Sequence, residues 1–199
     1  MTHTPLVANV LAVYYGASAD NLRDGLSWYS TAHNEAKAMG GRREWHLARN
    51  AGIIAALSPM NSWTNNLRKA RLLVSLRGKV TVAKGQPNGI GLGDNVAKAV
   101  AIYRGAEPLD VLGGDKVRAF YRTILDPKGD IDPVIDRHAF DIAVGQVTND
   151  AARQALQRKG VYQQFAHVYR EAALIAGIGS AQMQAVTWVA WREAKGIDY

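Results

Sequence analysis

Apolar residues recur at three- and four-residue steps along most of this chain, interrupted by short glycine- and proline-marked breaks, a period that belongs to helices. Between Asn21 and Met39 the pattern runs through Leu22, Leu26, Tyr29, His33 and Ala36 before Gly40-Gly41 ends it. Residues 42–57 repeat it with Trp45, Ala48 and Ile53 until Ser58-Pro59 stops the run. Further helices are predicted at 64–77, 94–104, 115–125, 137–145, 149–176 with a break near Gly160, and 180–195, with Ser180 as an N-cap. Two strand-like stretches, 79–83 and 131–135, are too short and isolated to build a sheet. The expected class is all-α, with loops at 58–65, 84–93 and 126–135. A length of 199 residues supports a single helical domain, 1–199, made of two lobes flanking a cleft. The turn-rich Asp126-Pro127-Lys128-Gly129-Asp130 places the lobes at 42–130 and at 1–41 with 131–199.

Composition narrows the function classes. The chain has no cysteine, which removes disulfides, thiolate zinc sites and Fe–S clusters together. Apolar residues make up 48%, yet no apolar stretch reaches the roughly 20 residues of a bilayer span. Thr2-His3-Thr4-Pro5 does not read as a signal peptide, so the expectation is a soluble, cytoplasmic protein without membrane attachment. The net charge of +7 is unevenly placed. Lys37, Arg42, Arg43, Arg49, Arg68, Lys69, Arg71, Arg77, Lys79 and Lys84 face a single acid, Glu44, giving that segment +9 and the remainder −2. Such localisation suits a phosphate-binding face, whereas scattered lysines would serve only solubility. Solvated helix faces are the plainer explanation of the same charges.

Four motifs follow one another. The first is Leu57-Ser58-Pro59-Met60 through Asn66, and the second is Gly91-Leu92 with Lys98-Ala99. The third, Leu112-Gly113-Gly114-Asp115-Lys116, is a glycine turn entering a helix, which directs backbone N–H groups and a positive helix end at a phosphate without reading sequence. The fourth, Val134-Ile135-Asp136-Arg137-His138, places an aspartate at the start of a helical run, where helix N–H groups keep it ionised. In this order, over about residues 42–145, the motifs resemble the skeleton of a helix-hairpin-helix, endonuclease III-like DNA glycosylase. The family hairpin has two glycines spaced by one residue and a lysine two positions after the second. Gly114 and Lys116 match the latter pair, while Leu112 stands at the first glycine and leaves Gly113 to supply the turn.

The resemblance implies an enzyme that binds DNA and extrudes a damaged or modified base. It assigns Asp136 to stabilising an oxocarbenium-like sugar and Lys116, if the enzyme is bifunctional, to attack at C1′. It gives the wedge that fills the gap in the duplex to Met60 and Asn61, with Met60 replacing the usual glutamine. DNA contacts fall to Gly113, Gly114, Arg68, Lys69, Arg71, Arg118 and Arg137, and neither cofactor nor metal is expected. A compact, cysteine-free chain of this kind is similar to phage-encoded members, acting in bacterial cytoplasm. Two other readings use the same scaffold: a phage transferase that modifies bases in DNA, and a non-catalytic DNA-binding or host-inhibitor protein. Other chemistries lack their residues. Gly89-Ile90-Gly91-Leu92-Gly93 has no dinucleotide-binding spacing, and His33-Asn34-Glu35 without cysteines cannot hold a deaminase zinc. His33 and His167 fall on apolar faces as core histidines, and Trp188 and Trp191 read as packing, while a substrate role for Gln182 and Gln184 has no motif behind it.

Overall fold

The computed structural model describes residues 3–41, 43–80, 90, 93–129 and 132–196. Among these the chain is all-α: α1 (Val7–Tyr15), α2 (Ala19–Ala38), α3 (Glu44–Leu57), α4 (Trp63–Ser75), α5 (Gly93–Tyr103), α6 (Pro108–Val111), α7 (Asp115–Leu125), α8 (Arg137–Val144), α9 (Asp150–Arg153), α10 (Val161–Ala176) and α11 (Ser180–Ala194). Asp132 to Ile135 forms no regular element, with the Asp136 N–H turning back to the Val134 carbonyl at 3.1 Å, and no strand occurs among the described residues. Residues 81–89, 91 and 92, which include part of one expected strand and the Gly91-Leu92 turn, lie outside them. The chain divides into two compact units, one of residues 1–30 with 126–198 and one of residues 31–125. The divisions fall inside α2 and after α7, whereas the sequence suggests 41/42 and 130/131.

The first unit is built on α8, α10 and α11, with α1 packed against all three. Phe140 of α8 and Phe165 of α10 stack with ring centroids 4.6 Å apart, surrounded by the buried Val10, Ile135, Ile142, Tyr169 and Met183. Burying each such side chain contributes about 1.5–3 kcal/mol. Helix α1 is absent from the sequence expectation because Leu6 at its N-cap offers no side-chain oxygen to the first-turn N–H groups. Long-range bonds hold it instead: the Leu6 N–H and the Asn9 carboxamide both donate to the Ala143 carbonyl, each at 2.9 Å. Ser180 is the first residue of α11 and Gly179 its N-cap, a correction to the sequence reading. The Gln182 side chain accepts from the Gly179 N–H at 3.0 Å and takes over the capping that a serine would supply.

The second unit is organised around α3. Asn50 to Leu57 is buried without a break, and α4, α5, α6 and α7 all pack on this helix. A helix apolar on every side is a core element, and its small residues allow close neighbours: a Cβ on Gly52 would lie 3.0 Å from the Pro108 ring. Trp45, part of the expected apolar face, instead leaves the core and is 53% exposed. His33 is satisfied as expected, its Nδ1 lying 2.8 Å from the Ile124 carbonyl. His167 is not a core residue; it is exposed in the first unit and pairs with Glu171.

Candidate functional site

In the first unit, Asp136 sits where an anchored irregular segment turns into α8. Tyr162 pins that segment by accepting from the Ile135 N–H and donating to the Pro133 carbonyl, both at 3.1 Å. Asp136 is then the N-cap of α8: its Oδ1 accepts from the N–H groups of His138 at 2.9 Å and Ala139 at 2.8 Å. Its Oδ2 accepts from the Trp188 indole N–H of α11 at 3.1 Å. Three donors and the positive helix end therefore fix a half-buried carboxylate in one orientation. The sequence suggested the cap and missed the indole, because 52 residues separate the pair and only the packing of α11 on α8 joins them.

The surroundings of this carboxylate are aromatic and cationic. The Trp188 ring meets Trp28 of α2 edge to face at 5.9 Å and His138 at 6.5 Å, and the Arg192 guanidinium lies 4.5 Å over its face. Arg137 donates from Nε to the His138 Nε2 at 3.2 Å. An arginine cannot accept, so this bond requires that Nε2 be unprotonated. Burial pushes the His138 imidazole below the ordinary histidine value; Asp136 opposes this, while Arg137 and Arg192 reinforce it. His138 is therefore a neutral neighbour of Asp136. Asp141, one turn on and 1% exposed, accepts from Thr148 and from the Arg153 fork, which anchors the loop after α8.

The second unit carries the first three motifs. Met60 follows the end of α3 with φ +61 and is 89% exposed, an apolar side chain projecting from a left-handed backbone. Asn61 is tied into the loop: its Nδ2 donates to the Leu57 carbonyl at 2.7 Å, and its Oδ1 accepts from Lys69. Buried Asn66 donates to the Ile54 carbonyl at 3.0 Å, and among the described residues its Oδ1 has no partner. Arg71 pairs with Glu35, while Arg68 is exposed. Arg49 is sandwiched between the rings of Trp45 and Tyr103 at 5.3 and 4.9 Å.

At the glycine turn, Gly114 adopts φ +76, so it and not Gly113 supplies the left-handed residue. Both glycines are exposed, and Lys98 of α5 brings its Nζ beside Gly113. This joins the second motif to the third. Lys116 is half-buried in the first turn of α7. Arg118 turns back onto the loop, donating to the carbonyls of Leu112 at 2.9 Å and Leu109 at 2.8 Å, so much of its hydrogen-bonding capacity serves the turn itself. Two glycines one residue apart, the spacing that Leu112 interrupts here, occur instead at Gly177-Ile178-Gly179 in the first unit. That turn joins α10 to α11 at 96°, with Gly177 left-handed at φ +70 and both glycines exposed. A search for Gly-x-Gly with helical flanks would have found it.

Among the described residues, no three His, Cys, Asp or Glu side chains are grouped to hold a metal ion. Also among them, no single helix is long and apolar enough to cross a membrane. The chain matches, over residues 1–195, the model of a family described as "Family of unknown function (DUF7178)", and it belongs to that family. Comparison with curated proteins and with solved structures finds no match.

Proposed function

We propose that this member of the DUF7178 family is a DNA-binding, base-extruding enzyme that acts at the glycosidic bond of a damaged or modified nucleotide. What carries the reading is Asp136, a carboxylate held by two helix N–H groups and an indole N–H beside half-buried tryptophans. A fixed anion facing a sugar stabilises the positive charge that grows at C1′ as its bond to the base breaks. The base leaves with the bonding electron pair and gains a proton, and water delivers a hydroxyl group to C1′. Arg137, exposed next to Asp136, is assigned to the flanking phosphate. Met60 fits the role of a wedge, since it is exposed and held in a conformation that costs a non-glycine residue energy. The exposed glycines at Gly113-Gly114 and Gly177-Ile178-Gly179, with Arg68, Lys69 and Lys98, are assigned to backbone phosphates.

The test is incubation with duplexes carrying damaged or hypermodified bases, followed by mass analysis of released bases and remaining nucleosides. Release identifies hydrolysis; an altered nucleoside still in the strand identifies base modification on the same scaffold. Asp136→Asn is expected to reduce turnover at least about 100-fold, the scale of a lost electrostatic stabiliser. If Lys116 is the nucleophile, borohydride traps the chain on substrate DNA and Lys116→Gln abolishes trapping. Wild-type activity in both variants would remove these residues from the chemistry.

A further inference from the structure

Gln184 of α11 is 4% exposed, yet only its oxygen is used: the Tyr29 hydroxyl donates to Oε1 at 2.6 Å, and among the described residues nothing accepts from its Nε2. Among the described residues the only buried side-chain nitrogen or oxygen without a partner is Asn66 Oδ1, so the Gln184 Nε2 keeps access to solvent and is open to an outside acceptor. The carboxamide is also oriented. Tyr29 occupies the acceptor end, so the side chain offers donors alone.

The same neighbourhood is aromatic. Trp188 lies one helical turn from Gln184 on α11, which puts both on one face. Trp28, next to Tyr29 on α2, meets the Tyr29 ring at 5.0 Å and the Trp188 ring at 5.9 Å, and both tryptophans remain partly exposed. The two helices are brought together at Gly25, where a Cβ would fall 2.4 Å from the Val186 Cα, so glycine is required for the approach. Trp188 is also the residue that donates to Asp136. An oriented donor pair, two planar side chains and a fixed anion therefore share one region of the first unit.

We infer that Gln184, oriented by Tyr29 beside Trp28 and Trp188, recognises a planar heteroaromatic base through an acceptor on its edge, such as a keto oxygen or a ring nitrogen. This rests on the proposed DNA-directed function and names the residues that would select its base. The tryptophans provide stacking surface, and the Gln184 Nε2 provides discrimination, because a base without an acceptor at that point leaves the donors unsatisfied.

Two measurements test it with the full chain. In the first, quenching of tryptophan emission is titrated with the four free deoxynucleosides in wild type and in Gln184→Leu. The second compares the affinities of duplexes identical except for one mismatched position, which carries each base in turn or an abasic tetrahydrofuran. Wild type is expected to prefer at least one base by about tenfold or more over the tetrahydrofuran duplex. Gln184→Leu flattens that preference and leaves tetrahydrofuran binding unchanged, with a lowered melting temperature because the Tyr29 hydroxyl loses its acceptor. A Leu variant that keeps the wild-type ranking overturns the inference and makes Gln184 a packing residue. Duplex binding without base preference in either measurement also overturns it and leaves the DNA reading standing. A nucleoside preference lost in Gln184→Leu, together with no duplex binding, does the opposite: the base site stands and the DNA reading falls.

Discussion

His138 shows how one buried ring can report on the state of the site. Its folded-state pKa is held below the ordinary histidine value by burial, so the unfolded chain takes up the proton first as pH falls. The stabilising contribution is complete above about 6.5, the ordinary histidine pKa, and declines as pH drops from there toward the folded-state value. Thermal melting between pH 5 and pH 8 is expected to show this loss on the acid side, and His138→Gln, which keeps an acceptor for Arg137 but cannot protonate in this range, is expected to flatten it. Equal slopes in the two proteins would assign the acid sensitivity elsewhere. Asp136 was legible at this scale, because an aspartate before a helical run is a local signal. Its third donor was not: no periodicity or spacing connects residue 136 to residue 188, and only tertiary packing reveals the bond.

Elements with their own punctuation were the readable ones. Helix α7 has the bounds that its alternation of buried Ala119, Phe120, Thr123 and Ile124 with Arg118 and Arg122 implies. Helix α1, capped by no side chain and held by bonds to Ala143, carries its information in α8 and not in itself. The loop between α3 and α4 yields a prediction from its backbone. Met60 at φ +61 is in a region that costs an ordinary residue about 1–2 kcal/mol and glycine nothing. Met60→Gly should therefore hold or raise the melting temperature while weakening action on paired DNA more than on mismatched or single-stranded DNA, where unstacking is already done. Equal loss on paired and unpaired substrates would reduce the loop to a connector. The helix pair α2 and α11 gives the opposite stability result: Gly25→Ala would drive a methyl group into the Val186 backbone and is expected to cost about 1–3 kcal/mol, read as a lowered midpoint in urea.

For the molecule as a whole, charge distribution makes the broadest prediction. The excess between Lys37 and Lys84 is partly spent within the second unit: Arg71 pairs with Glu35, Lys69 serves Asn61, and Arg49 lies between two rings. Duplex affinity is expected to fall with salt, and Arg68→Gln to reduce the log–log slope by about one contact, while Arg71→Gln changes it less. A flat salt dependence in the wild type would remove the phosphate face. The charge count was plain in the sequence, but which cations were already engaged was not, since those partners are set by helix packing. The division of the chain also bears on synthesis. The second unit is one uninterrupted stretch, residues 31–125, whereas the first is assembled from residues on both sides of it. On the ribosome, the inserted stretch has all its own residues while the flanking unit still lacks α8, α10 and α11. The order of emergence thus favours the inserted unit folding first, and the segment before it must wait, unpaired, until α8, α10 and α11 have been made.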